Sequence, residues 1–358
     1  MPAVKRIHQV SDSNPKPEFI FGHSCQTGAV LLQAASSVFA VPLACQIHEG
    51  LRFSNRDHRT LFDKMMLLLS SLPLDQPFLF VADAYYATAK IVLGLLAGGN
   101  HLVTRVKSNA VAYALPPSPD PRLPPKRGRP KRYGHKILIS SLLQQKDLFL
   151  PAISPIYGES NVTLRYRVAD LLWRSVGLLV RFVLVHHPSR GPIILMSTDL
   201  SLSPLEIIQL YALRFKIELS FKQALRVVGT FAYHFWMATM TPFPKTSGNQ
   251  HLHRKSHSYR QAVLRKMDAY HRHIQLGLIA QGLLQILSAT SAPLVWQSFG
   301  SWFRTLRPGL PPSEQVTAIA LRNSLPDFLL DDSKHSIFTK FLLKRIDLSR
   351  TEGVRLVA

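Results

Sequence analysis

The run Phe78-Leu-Phe-Val-Ala82, closed abruptly by Asp83, does most to restrict what this chain can fold into. An unbroken apolar stretch of strand length suits a strand buried on both faces, the situation of strands in sheets covered by helices. A helix pattern follows over Ala87 to Ala97 and is stopped by Gly98-Gly99-Asn100, after which His101 to Val106 reads as a further strand. Upstream, Phe19-Ile20-Phe21, Ala29 to Leu32 and Phe39 to Ile47 are strand-like. Arg59 to Ser71 sets Leu61, Phe62, Met65, Met66 and Leu69 on a helical stripe. Strands alternating with helices predict an α/β fold, a mixed sheet with flanking helices.

The pattern then changes. Pro116, Pro117, Pro119, Pro121, Pro124 and Pro125 break regular structure. Beyond them Val162, Leu164, Tyr166 and Val168 alternate with polar neighbours, and Phe182 to Val185 and Ile193 to Leu195 read as strands, so a β-rich insert is expected. Ser203-Pro204-Leu205-Glu206 is a capping box with proline at the first helical position, and one helix is predicted from there to about Val228, before Gly229. A basic tract from Lys245 to His273 follows, read as a linker leading into a helix; the remainder is helical in pattern. The expected organisation is a first part of the core over 1–106, a basic loop and insert over 107–200, a helix completing the core over 201–235, and a basic linker with a helical region over 236–358. No internal repeat is present.

Lys and Arg number 43 against 21 Asp and Glu, a net charge of +22, while hydrophobic residues make up 46% of the chain. The apolar share excludes a disordered polyelectrolyte, and the charge points to a polyanion, nucleic acid before an acidic membrane surface. Two cysteines, Cys25 and Cys45, exclude a disulfide-dense scaffold and a cysteine-rich zinc module. The apolar runs Ile91–Ala97 and Val176–Val185 are too short or too interrupted to span a bilayer, and Lys5 and Arg6 are followed by polar residues rather than a signal-peptide core. The expectation from these features is a soluble protein of a reducing compartment.

Strand ends collect ligand sites in open sheets, and a carboxylate at Asp83 is a hard oxygen donor suited to Mg2+ or Mn2+. The same residue also fits a plain turn cap. Tyr211, Arg214, Glu218 and Lys222 follow at steps of three, four and four, one face of a continuous helix. Beside them Leu210, Leu213, Ile217, Phe221 and Ala224 form an apolar stripe. Glu218 would then reach a metal at the strand ends, with Arg214 and Lys222 against phosphates; a solvated face of ion pairs fits the pattern too.

Tyr211-Ala-Leu-Arg214-Phe-Lys-Ile-Glu218-Leu-Ser-Phe-Lys222 resembles the Y-x2-R-x3-E-x6-K signature of bacterial insertion-sequence DDE transposases. Val81-Ala-Asp83-Ala-Tyr85-Tyr86, followed by Arg105-Val-Lys107-Ser-Asn109, is similar to the second-aspartate region of that group, as are Ile20 to Ser24 and the run from Val41-Pro42 to Gly50. The resemblance covers roughly residues 1 to 235 and implies a ribonuclease-H-like core in which two Asp and one Glu bind two divalent ions. It casts Asp83 as the second metal-binding Asp and Glu218 as the metal-binding Glu, with Tyr211 and Arg214 as the signature's Tyr and Arg. The signature's Lys position holds Leu225, with Lys222 or Arg226 as substitutes. It also implies double-stranded DNA, element ends and target, as partner, and a homo-oligomer working on it without a membrane.

The family's first Asp belongs on an opening strand for which these residues offer no counterpart. Asp12, within the turn-like Ser11-Asp12-Ser13-Asn14-Pro15, is a poor substitute. An N-terminally truncated transposase with weak or absent activity is therefore expected. Lys126-Arg127-Gly128-Arg129-Pro130-Lys131-Arg132 resembles an AT-hook, which lays a narrow Gly-Arg-Pro backbone in the A·T minor groove; a loop gripping phosphates without sequence preference fits equally. Arg105 and Lys107 are further candidate DNA contacts. The rivals are a hydrolytic nuclease on the same core and a non-enzymatic DNA-binding remnant.

Overall fold

The computed structural model describes residues 1–8, 18–34, 37–117, 128–129, 131–241, 248–300, 306–307 and 309–331. Asp12, Lys126, Arg127, Pro130 and Lys245 lie outside these. In chain order the elements are β1 (Lys5–His8), β2 (Phe19–Gly22), β3 (Cys25–Ala34), β4 (Ser37–Ile47), β5 (Leu51–Arg52), α1 (Leu61–Ser70), β6 (Leu79–Ala82), α2 (Ala89–Ala97), β7 (His101–Arg105), β8 (Val111–Tyr113) and β9 (Lys136–Leu138). They continue with β10 (Leu150–Ile153), β11 (Thr163–Trp173), β12 (Leu178–His187), β13 (Gly191–Ser197), α3 (Pro204–Leu213), α4 (Lys216–Gln223), β14 (Gln250–His251), α5 (His257–Thr290), α6 (Ala292–Phe299) and α7 (Glu314–Asp331). Two compact units result, Arg59–Phe215 and Met1–His58 with Lys216–Ala358.

The Arg59–Phe215 unit is built on an eight-stranded mixed sheet in the order β6-β7-β13-β12-β11-β8-β9, with β10 beside β11. Only β6 and β7 are parallel, pairing Leu79 with His101 through Ala82 with Thr104. Strand β13 runs antiparallel to β7, so the β-rich stretch shares one sheet with β6 and β7. The centre is apolar at both strand parities: Leu102 and Val103, Phe182 to Val185, and Ile194 to Met196 are all buried. Helix α3 covers one face, setting Ile207 and Ile208 against Val103, Val183, Val185 and Leu195. Burying each such side chain stabilises the fold by about 1.5–3 kcal/mol.

Strand β6 departs from the sequence expectation. Leu79, Phe80 and Val81 are half-buried and only Ala82 is buried. The reason is position: among the described residues β6 ends the sheet order, with a strand paired on one side alone. Its start is fixed by Asn100, whose Oδ1 accepts the Phe78 N–H at 2.8 Å while its own N–H returns to the Leu95 carbonyl at the end of α2. The Gly98-Gly99-Asn100 stop thus both ends α2 and sets the register of the parallel pair; Gly99 takes φ +72°, in the left-handed region open to glycine. Helix α1 opens on a capping box in which Thr60 and Asp63 exchange hydrogen bonds, and Lys90 of α2 reaches Asp63 at 2.8 Å.

The single helix predicted from Ser203 is interrupted. The capping box is present, with Glu206 Oε2 accepting the Ser203 N–H at 2.7 Å, but α3 ends at Leu213. The Arg214 N–H bonds to the Tyr211 carbonyl and the Phe215 N–H to that of Ala212, both one residue tighter than an α-helix. A new helix, α4, starts at Lys216, and Ala224–Val228 then loosen into a π turn ended by Gly229 at φ +74°. The break shifts the buried face: Ile207, Ile208, Ser220 and Ala224 are buried, whereas Leu210, Leu213, Ile217 and Phe221 are half-buried.

In the other unit, β3 and β4 form a long antiparallel hairpin with a register shift at Gly28/Ala29, and β1 pairs with β2. Helix α5 lies on β4. Gln275 and Gln285 donate to the Leu43 and Ala40 carbonyls at 3.1 Å each, and the Ile47 N–H donates to His271 Nε2 at 3.1 Å. The helix begins at His257, so much of the tract read as a linker is helical. Helices α6 and α7 close over Val295, Trp296, Phe299, Val316 and Ala320.

Candidate active site

Asp83 leaves the C-terminal end of β6 as an exposed residue. Its Oδ1 accepts the Tyr85 N–H at 2.9 Å, and it caps the short turn Ala84–Tyr86. The plain capping role is therefore real. It also fixes the carboxylate, and a second bond fixes the backbone beneath: buried Thr104 on β7 donates its hydroxyl to the Asp83 carbonyl at 2.7 Å. Because Ala82 faces Thr104 in the parallel register, the next residues, Asp83 and Arg105, leave the same end of the sheet side by side. Arg105 is exposed, as is Lys107 after buried Val106. Charge of both signs thus meets at one strand-end edge.

Tyr211 and Arg214 close α3 in the same unit as Asp83. Tyr211 packs on the cluster that includes Leu79 and Val81 of β6, and the Arg214 guanidinium lies 5.8 Å from the centre of the Tyr211 ring. Glu218 and Lys222 belong to the other unit, exposed on α4, one turn apart. Their helix is held from beneath by Gln281 of α5, fully buried, whose Nε2 donates to the Ser220 carbonyl at 2.8 Å and to Ser220 Oγ at 2.9 Å. The signature's Lys position is an exposed leucine, Leu225, 58% accessible, with exposed Arg226 next to it in the π turn.

Among the described residues no three His, Cys, Asp or Glu side chains converge as a metal cage. The donors at issue are single carboxylates, whose hard oxygens fit Mg2+ or Mn2+ and do not make a zinc site. His23 and His271 serve packing. His23 donates from Nε2 to the Pro2 carbonyl at 2.7 Å and accepts the Tyr233 hydroxyl at Nδ1, 2.6 Å away. Burial lowers its pKa, as it does that of His271.

Residues 32–232 match the model of the transposase DDE domain. The chain belongs to the DDE transposases. The matched span holds both Asp83 and Glu218, and the mixed sheet, flanking helices and helical C-terminal region are consistent with the ribonuclease-H-like architecture expected of this transposase. A search of curated proteins found no match.

The basic loop of the transposase is the connection between β8 and β9, an antiparallel pair at the far edge of the sheet from β6. Six inter-strand steps separate the edges, so the loop's base lies roughly 30 Å from the Asp83 strand. Of the loop, Gly128, Arg129, Lys131 and Arg132 are described and exposed, and Gly128 adopts φ +106°, where a side chain would be strained. The residues that sequence reasoning overlooked are Thr104, which anchors the Asp83 backbone, and the Gln281–Ser220 pair under α4. The buried threonine in an apolar strand was the available signal for the first; nothing local announced the second. Among the described residues no single helix is long and apolar enough to cross a membrane; only α5 and α6 taken together pass that test, and they meet at a bend of 102°.

Proposed function

We propose that this DDE transposase cleaves DNA at the ends of a bacterial insertion sequence and joins them to a target, with Asp83 and Glu218 as ligands to Mg2+ or Mn2+. The observation that carries the proposal is a carboxylate fixed at a strand end inside the matched span, with Arg105 emerging beside it. Two such ions, when bound, activate the attacking hydroxyl and steady the leaving oxygen. The chain's own residues supply the rest. Asp83 is oriented by the Tyr85 N–H and Thr104, and Glu218 is presented by α4 on its Gln281 support. Arg214, Lys222, Arg105 and Lys107 neutralise phosphates, and Tyr211 buttresses Arg214. Phosphoryl transfer asks for little beyond such positioning and charge.

The basic segment from Lys126 to Arg132 is the second DNA contact. The strands that carry it, β8 and β9, lie roughly 30 Å from the Asp83 strand, or about nine base pairs at 3.4 Å each, so an A·T-rich contact on that scale from the cut phosphate is expected. Self-association has its own support. On α5, Leu276, Ile279, Leu283 and Ile286 are 67%, 51%, 56% and 55% exposed, at steps of three, four and three, on the side not used by buried Ile274, Leu278, Gln281 and Gln285. Residues 274–299 carry no Lys, Arg, Asp or Glu, so a second copy meets least repulsion here in a chain of net charge +22. Two such stripes face to face bury on the order of 1,000 Å2, the threshold of a specific interface.

Only two of the three carboxylates of a DDE site are assigned in these 358 residues, so cleavage by this chain alone is proposed to be slow. Strand cleavage and strand transfer are tested on element-end DNA with Mg2+ or Mn2+, together with binding in EDTA. Metal-dependent cutting abolished by Asp83→Ala and by Glu218→Ala supports the catalytic reading. Strand transfer separates a transposase from a hydrolytic nuclease. Tight binding without cutting describes a DNA-binding remnant, and no binding refutes the proposal.

A further inference from the structure

Two residues past Asp83 the chain exposes an aromatic ring on a rigid mount. Tyr85 is 47% accessible; its backbone N–H holds the Asp83 carboxylate, and its ring is set by packing against the rings behind it. Behind it stand three more rings. Phe62 of α1 lies 5.0 Å from Tyr85, centre to centre, with planes inclined 36°. Tyr86 meets Tyr85 edge-on at 5.3 Å, and in turn packs edge-on against Phe80 of β6 at 5.8 Å and Phe62 at 6.4 Å. The mount is pinned from below: α1 is started by the Thr60–Asp63 capping box, and Lys90 ties Asp63 to α2.

Such a block is expected to bury its outermost ring, yet Tyr85 stays half in water at the edge where Arg105 and Lys107 are exposed. An aromatic ring mounted on other rings, two residues past a strand end near which Arg105 and Lys107 are exposed, suits an unpaired base and its flanking phosphates. It does not suit a duplex, whose bases already stack on one another. The carboxylate next to it marks the phosphate being handled as the neighbour of that base.

We propose that Tyr85, seated on Phe62 and Tyr86, stacks an unpaired DNA base adjoining the phosphate at Asp83, while Arg105 and Lys107 hold the phosphates on either side. The proposal deepens the DNA-cleaving reading and rests on it. It makes the DNA at the cut locally splayed rather than fully paired.

The test uses the full chain in EDTA, with a single-stranded oligonucleotide and a duplex of the same sequence, each carrying 2-aminopurine. Wild type is expected to quench the single-strand fluorescence; Tyr85→Leu should weaken single-strand binding about ten-fold while duplex binding moves less than about two-fold, and Tyr85→Trp should restore it. Equal single-strand affinity in wild type and Tyr85→Leu overturns the stacking role while leaving DNA cleavage standing. Absence of any DNA binding by wild type overturns the DNA-acting reading and this one with it. Should Tyr85→Leu not fold, wild type alone answers. Photocrosslinking to 5-iodouracil single strands is expected to map to Tyr85, and an adduct confined to other residues refutes the assignment.

Discussion

Gln281 offers the sharpest check on the packing that supports Glu218. It is fully buried, its Nε2 donates twice to Ser220, and its Oε1 is buried with no hydrogen-bond partner among the described residues. Replacing it with leucine removes two hydrogen bonds, each worth about 0.5–1.5 kcal/mol net, but also removes an unpaired buried oxygen that costs about 1–3 kcal/mol. The Ser220 carbonyl keeps the α-helical environment of α4. The terms nearly cancel, so Gln281→Leu should stay within about 1 kcal/mol of wild type. Gln281→Glu has the same shape and the opposite fate. A carboxylate there would face the Ser220 carbonyl with only the Ser220 hydroxyl to donate to it, and burying its charge should still cost about 3 kcal/mol at pH 7. The folded state would raise the pKa of that new carboxyl, so the deficit should shrink as pH falls toward the ordinary glutamate range. Urea unfolding followed by circular dichroism at pH 7 and pH 5 reads all of this from the midpoint at constant slope. A leucine variant losing more than about 3 kcal/mol, or a glutamate variant that unfolds like wild type, would refute the hydrogen-bond accounting.

Other expectations follow from single contacts. Asp63 is held near a pKa of about 2, chiefly by its hydrogen bond to Lys90 and by Thr60. Its stabilising effect is complete above the ordinary aspartate range and lost as pH falls through about 2, so the stability gap between wild type and Asp63→Asn should close on acidification. His271 has its pKa lowered by burial while its Nε2 accepts the Ile47 N–H. It therefore stabilises above its ordinary value of 6.5 and destabilises as pH drops below that; His271→Gln, which keeps an acceptor, should flatten this limb in thermal melts. A Cβ on Gly277 would stand 2.5 Å from Thr230 Oγ1 and 2.8 Å from its Cα, a clash that no rotamer change relieves. Gly277→Ala should cost about 1–3 kcal/mol in urea unfolding despite its better helix propensity.

Much of the fold was written locally. The Ser203–Glu206 capping box, the Gly98-Gly99-Asn100 stop and the apolar runs of β12 and β13 announce themselves because their causes lie within a few residues. What escaped depends on partners distant in sequence. The apolar run of β6 reads as a strand buried on both faces, and nothing in it says that β6 comes last in the strand order of the described sheet. The tightened turn at Arg214–Phe215 has neither glycine nor proline to betray it, since its cause is a shift of hydrogen-bond register. It also falls inside the signature on which the single-helix face was built, so the helical spacing of Tyr211, Arg214, Glu218 and Lys222 does not carry across it. Of the candidate site, the sequence offers residue types, a carboxylate at Asp83 and cations at Arg105 and Lys107, and the strand register sets Asp83 and Arg105 at the same sheet edge. The ring beneath Tyr85 comes from Phe62 on another helix, and the distance of the basic loop from Asp83 follows from strand order, which periodicity does not encode.

The proposed binding of the same divalent ions by Asp83 and Glu218 has a direct test. Fe2+ in place of Mg2+, with ascorbate and hydrogen peroxide, cuts a polypeptide backbone beside the metal and reads this without requiring DNA cleavage. Shared ions predict two cuts, one near residue 83 and one near residue 218, both suppressed by Mn2+ and both lost in Asp83→Ala. Cutting at one position only, or a cut near Glu218 that survives Asp83→Ala undiminished, would contradict it.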